Sequence, residues 1–116
     1  RKSPHTLDIY NTSMITKLAK IQQRLILGAF DSLRKGGTLV YSTCSLEPEE
    51  DEGVIDYLLS YRKDASLEKI SLEIKSSKPI LDFEGKSYNP DIKKCLRVWP
   101  QDNNTDGFFV AKIKRQ

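Results

Sequence analysis

The sequence predicts an α/β fold: an open sheet with helices against it, ending in an antiparallel β-hairpin. Three observations predict this. A long segment with apolar residues at three- and four-residue steps stops at Gly36-Gly37 and passes directly into the β-branched and aromatic run Thr38 to Thr43. A second helical pattern follows within a few residues. Two short apolar runs near the C-terminus are separated by Gln101-Asp102-Asn103-Asn104-Thr105-Asp106-Gly107, which is turn chemistry. A helix leading tightly into a strand, with another helix after it, belongs to an open α/β sheet, where chemistry collects at the carboxyl ends of strands.

Residues 1–11 carry Pro4, His5, Asp8 and Asn11 without a period and read as an irregular opening segment. Thr12 or Ser13 then serves as N-cap to a helix whose apolar stripe is Met14, Leu18, Ile21, Leu25, Ala29 and Leu33. Arg34 and Lys35 suit the negative end of its dipole, and Gly36-Gly37 supply the left-handed conformation that stops it. Thr38 to Thr43 reads as a buried strand, and Ser45 to Glu47 as a short turn. Pro48 fits a first helical position because it has no amide to leave unpaired. Glu49, Glu50, Asp51 and Glu52 crowd the positive end of the new helix, whose apolar residues are Val54, Ile55, Leu58 and Leu59.

Leu67 to Ile74 alternates through Ile70 and Leu72, a half-buried strand with Lys69, Ser71 and Glu73 outward. Residues 75–91 read as a long loop plugged by Ile80, Leu81 and Phe83. Leu96 to Trp99 and Phe108 to Ile113 form the closing hairpin.

The 116 residues match the size of one domain, with 38% hydrophobic and 30% charged residues. No apolar run approaches the roughly 20 residues a membrane-spanning helix needs. The formal charge of +3 permits a polyanionic partner without requiring one. Cys44 and Cys95 are too few for a disulfide scaffold, which with no leader pattern points to an intracellular, cytoplasmic setting. One histidine and two distant cysteines fall short of a zinc set, so no metal is expected. The chain begins Arg1-Lys2-Ser3-Pro4 without a methionine, the expectation being an excised or processed piece.

Cys44 stands just past the first strand and a few residues before a helix start. Partial positive charge from unpaired amides there favours a thiolate, the nucleophilic form, whereas the acidic first turn opposes it if it faces the sulfur. On residue chemistry alone two readings stand: an activated nucleophile and an inert, semi-buried thiol.

The stretch Leu33 to Glu50, containing Gly36-Gly37, Thr43-Cys44-Ser45 and Pro48-Glu49-Glu50, is joined by Leu96-Arg97-Val98-Trp99-Pro100 and by Asp106-Gly107-Phe108-Phe109. These three ordered blocks resemble the C-terminal half of the Sun/Nop-type, RsmB-like RNA cytosine-5 methyltransferases. The resemblance implies that residues 1–116 are the C-terminal portion of one Rossmann-like class I methyltransferase domain dependent on S-adenosylmethionine. It implies that Cys44 is the nucleophile adding to carbon 6 of a flipped cytosine in tRNA or rRNA. The family's Pro-Cys block with its neighbouring aspartate, the glycine-rich turn for the donor and the acidic ribose ligand all lie upstream of this chain. No Gly-x-Gly-x-x-Gly occurs among the 6 glycines. The donor pocket is therefore expected mostly outside this chain, which alone is expected to be inactive. Arg1 and Lys2, next to the absent block, and Ser45, beside the nucleophile, are the expected substrate contacts. The alternative is a non-catalytic RNA-binding or partner-binding module of a split enzyme, completed by an N-terminal half or a partner chain.

The remaining candidates carry two readings each. Cys95 is read as a packed strand residue in preference to a partner of Cys44, and His5 as a surface residue in preference to a general base. Lys17, Lys20 and Arg24 share a helical face, solvated or joined with Arg1, Lys2, Lys93, Lys94 and Arg97 in a phosphate groove. Trp99, Phe108 and Phe109 stack bases or, as strand aromatics usually do, fill the core.

Overall fold

A computed structural model describes residues 12–44, 47–70, 79–99 and 107–116. Helix α1 spans Thr12–Asp31, strand β1 Thr38–Thr43 and helix α2 Glu52–Tyr61, the last preceded by a 3-10 turn at Pro48–Glu50. Strand β2 (Ala65–Glu68) follows, then a small hairpin of β3 (Asp82–Phe83) and β4 (Lys86–Ser87). A 3-10 turn at Pro90–Lys94 leads into β5 (Leu96–Val98), and β6 (Phe108–Arg115) ends the sheet.

The long β6 organises the sheet. β1 pairs antiparallel along one edge of it, from Thr38 opposite Lys114 to Thr43 opposite Phe109. β2 and β5 share its other edge, with Leu67 opposite Ile113 and Arg97 opposite Phe109. β1 and β2 therefore run in the same direction, joined through α2 with β6 inserted between them, while β5 and β6 form the expected antiparallel hairpin. The face bearing Phe109, Ala111 and Ile113 is covered by Ile26 and Phe30 of α1 and Val54, Ile55 and Leu58 of α2. Truncating a buried phenylalanine such as Phe109 in a core of this kind costs about 3–5 kcal/mol.

Five expectations need correction. The α1 stripe is turned largely outward: Ile21 is 48% and Leu25 66% exposed, whereas Ala19, Ile26 and Phe30 are buried. Two apolar stripes run along this helix, and the bulk of Phe30 fills the described core. The helix also ends at Asp31, ahead of Arg34 and Lys35. Its last carbonyls are met by a cation distant in sequence, for Arg115 Nη1 donates to the Leu33 carbonyl at 2.6 Å and to that of Asp31 at 3.3 Å. Gly36 does take the left-handed conformation, with φ 82°.

β1 is not a buried strand. Leu39 and Tyr41 pack toward the core, but Val40 is 60% exposed because side chains alternate along the strand and Val40 points to the opposite, uncovered face. β2 starts at Ala65 and stops at Glu68, where Leu67 to Ile74 was expected. Its register explains the stop: Glu68 faces Lys112, and the next stretch of β6 is already taken by β5. Residues 71–78 lie outside the described residues, and the part of the expected loop that is described holds the β3–β4 hairpin and the start of a 3-10 turn.

Candidate active site

Strand β1 ends at Thr43 and delivers Cys44, whose side chain is exposed, to the carboxyl end of the sheet. The chain returns at Glu47, and Pro48 occupies the first position of the 3-10 turn, as its missing amide allows. Asp51 forms the joint between that turn and α2. The Tyr41 hydroxyl donates to the Glu50 carbonyl at 2.7 Å, tying β1 to the far side of the Cys44 turn.

The acidic run stands at the start of α2, as expected, but it is not solvated there. Instead Glu50, Asp51 and Glu52 are buried. Arg97, 0% exposed on β5, donates from Nε to Glu52 Oε2 at 2.8 Å, and from Nη2 to Glu52 Oε1 at 2.5 Å and Asp51 Oδ2 at 2.9 Å. Glu52 Oε2 also accepts the Ile80 amide at 2.7 Å. The guanidinium lies between the rings of Trp99, 5.0 Å away, and Phe109, 5.8 Å away. Asp51 Oδ1 has no hydrogen-bond partner among the described residues, and burial pushes the Asp51 carboxyl up to about 9 against the opposing pull of Arg97. Removing one partner from a buried ionic set of this kind costs about 3–5 kcal/mol.

Arg97 is the residue that sequence reasoning misplaced. It was offered as a phosphate contact, but it is sealed within the protein. An arginine flanked by Leu96 and Val98 in a short strand, with an acidic run elsewhere in the chain, was the signal available. Phe109 is buried, as expected of a strand aromatic, while Trp99 is half-buried, and both rings lie against the Arg97 guanidinium. Lys17, Lys20 and Arg24 are exposed along α1, and Lys93 is exposed, whereas Lys94 Nζ lies 3.5 Å from the Leu67 carbonyl. Arg1, Lys2, His5 and Ser45 lie outside the described residues. Cys95 is buried as expected, and burial, with Glu52 nearby, pushes its thiol up to about 12, so it stays protonated and inert.

Two clefts open near this region. One, of about 240 Å³, lies between α1, Glu49 and the β3–β4 hairpin and is ringed by Lys20, Glu49, Glu84 and Lys86. The other, of about 160 Å³, lies between α1 and β1 and is lined by Leu25, Ile26, Ala29, Leu39, Gln22 and Tyr41. Neither is lined by a glycine-rich turn. Among the described residues no group of three histidine, cysteine or acidic side chains is placed to hold a metal ion, and no helix is long and apolar enough to cross a membrane.

Known proteins share both sequence and fold with this arrangement. A tRNA (cytosine(49)-C(5))-methyltransferase of Pyrococcus abyssi is 47% identical over 97 residues, which are 84% of this chain and 31% of that protein. A crystal structure of a methyltransferase homolog protein from Pyrococcus horikoshii superimposes with a TM-score of 0.83 at 34% identity, over 92% of this chain and 34% of the other. The crystal structure of NSun6 from the same organism, solved with SFG, gives a TM-score of 0.71 at 34% identity, over 91% of this chain and 24% of that one. The chain thus spans about a third or less of the length of these relatives. Residues 2–114 match the family described as 16S rRNA methyltransferase RsmB/F, and that match over nearly the whole chain makes it a member of the RsmB/F methyltransferase family.

Proposed function

We propose that this chain is the nucleophile-bearing portion of an S-adenosylmethionine-dependent RNA cytosine-5 methyltransferase, with Cys44 as the nucleophile. The observation that carries the reading is the exposed Cys44 at the carboxyl end of β1, with β1 tied to Glu50 through Tyr41. Relatives named for cytosine carbon-5 methylation of tRNA and rRNA support the substrate class.

Carbon 5 of cytosine is a poor nucleophile while the ring is aromatic. The target base leaves its stack so that Cys44 can reach it. The Cys44 sulfur donates an electron pair to carbon 6, a sulfur–carbon bond forms, and the carbon 5–carbon 6 π pair moves onto carbon 5. That pair is what a bound methyl donor would meet; once carbon 5 carries the methyl group, its proton would leave to a base, the C–H pair would re-form the carbon 5–carbon 6 double bond, and the carbon 6–sulfur bond would break with its pair returning to the Cys44 sulfur.

S-adenosylmethionine supplies an electrophilic methyl group when bound, but the described residues do not fit it. The apolar cleft has no carboxylate to grip a ribose, and its Tyr41 hydroxyl is already committed to Glu50. The polar cleft surrounds its volume with charged side chains and offers no amide-rich turn. The proposal therefore assigns the donor to a portion of the protein beyond this chain, seated against the open edge of β1 and the exposed Leu25 and Val40. Arg1, Lys2 and Ser45 are kept as RNA contacts on their sequence positions, and a cytoplasmic setting on the cysteine usage.

The test uses full-length protein and an RNA carrying 5-fluorocytosine at the target. Fluorine cannot leave carbon 5 as a proton does, so the sulfur–carbon adduct persists and runs as a shifted band on a denaturing gel. Wild type forms the adduct, and Cys44→Ala forms none and loses about a thousandfold or more in methylation rate, as removal of a covalent nucleophile requires. Retained methylation by Cys44→Ala overturns the reading. RNA binding without methylation by wild type favours the binding module of a split enzyme.

A further inference from the structure

We propose that Arg97 is a positioning residue for Cys44, clamping Asp51 and Glu52 a few residues beyond the nucleophile, where the chain enters α2. The inference rests on Cys44 being the nucleophile.

Three observations place Arg97 in this role. First, Thr43 and Arg97 both lie opposite Phe109, one on each side of β6. Arg97 therefore sits in the same cross-strand row as the residue before Cys44, two strand spacings or about 10 Å away. Second, its guanidinium reaches from that row to Asp51 and Glu52, where the chain has finished the turn and enters α2. The near end of the turn is fixed by pairing with β6, and Tyr41 adds a second tie at Glu50. Third, the fork is locked. Trp99 and Phe109 enclose it, and Glu52 is held in turn by the Ile80 amide.

Stability is a poor reason for this arrangement. A buried ionic set is often matched or exceeded in stability by apolar residues of the same volume. What the guanidinium supplies is direction: a planar donor group engages both carboxylates in one geometry, which an ammonium cannot reproduce. A nucleophile on a turn gains from this, since a displacement of about 1 Å in a reacting group can cost about a hundredfold in rate.

The experiment compares Arg97→Lys, Asp51→Ala and Asp51→Asn with wild type and Cys44→Ala in the full-length protein. It reads kcat, KM for RNA, Tm, and the rate of adduct formation on 5-fluorocytosine RNA. At a temperature where all variants are folded, Arg97→Lys lowers kcat by about tenfold or more, and adduct formation by the same factor. KM for RNA moves by no more than about twofold, because the loss falls on the transition state and not on binding. Asp51→Ala shows the same loss, and Asp51→Asn, which still accepts from Arg97, stays within about threefold of wild type.

A normal kcat in Arg97→Lys, or a loss that follows only the folded fraction, overturns the inference. If Arg97→Lys does not fold, the Asp51 pair decides: equal activity in Asp51→Ala and Asp51→Asn overturns it. A dead Cys44→Ala beside a normal Arg97→Lys defeats this inference alone, whereas an active Cys44→Ala defeats it together with the reading beneath it.

Discussion

Glu84 is the one non-glycine residue among those described with a left-handed backbone, φ 51°, and it stands beside Gly85 at φ 77°. These two residues join β3 to β4, and positive φ at both central positions is the twist-matched turn of a tight hairpin. A side chain at Glu84 costs about 1 kcal/mol in this conformation, which asparagine tolerates better. Glu84→Asn is expected to stabilise the protein by about 0.5–1 kcal/mol, read as a raised urea midpoint at unchanged slope. It also removes a carboxylate that helps to hold the Glu49 carboxyl above its ordinary value, although burial is the larger cause there. At this scale the sequence was informative where chemistry is local and silent where it is not. Cys44 and Pro48 were legible because strand end and helix start are neighbours in the chain. Arg97 was not, because what makes it special is a pair of carboxylates 45 and 46 positions away that only the fold brings to it.

The start of α2 shows the same limit for a whole element. Acidic residues in a first turn satisfy the helix dipole, which accounts for Glu49 to Glu52 by position, and burial of Asp51 and Glu52 gives them a further role. That role has a pH signature. The Asp51 carboxyl is held at about 9 chiefly by burial, with Glu52 and Glu50 adding repulsion that Arg97 only partly offsets. Its pKa in the folded protein is thus above that of the unfolded chain, and the native state binds the proton more tightly. The associated stability is complete at low pH and is lost as pH rises from about 4 through about 9. Asp51→Asn cannot titrate. Urea midpoints at pH 5, 7 and 9 are expected to fall less steeply for Asp51→Asn than for wild type, and parallel profiles would remove Asp51 as the source. For α1, periodicity revealed the helix but could not choose between its two apolar stripes. Its termination was likewise opaque, since Arg115 reaches its carbonyls from the opposite end of the chain.

For the whole molecule, the outward α1 stripe adjoins β1, which has one edge unpaired among the described residues. Leu25 lines the apolar cleft with Ile26, Ala29 and Leu39, and Val40 is exposed on the far side of the same strand. An exposed strand edge flanked by apolar side chains is a template for pairing with another chain. The relatives that share this fold are about three times as long or longer. Together these are consistent with coverage of this surface by a further segment of a full-length family member, and the double variant Leu25→Lys with Val40→Lys tests it in two settings. In the 116-residue chain both positions face water, so stability should move by no more than about 0.5 kcal/mol per site. Self-association, followed by sedimentation velocity, should diminish because two charges now flank the edge. In the full-length protein the same lysines enter a buried contact and should destabilise it by roughly 1.5–3 kcal/mol for each apolar side chain lost from burial. An unchanged Tm of the full-length variant would mean that this face stays open in the complete enzyme. The apolar surface of α1 and β1 would then have to be explained by an RNA or protein partner.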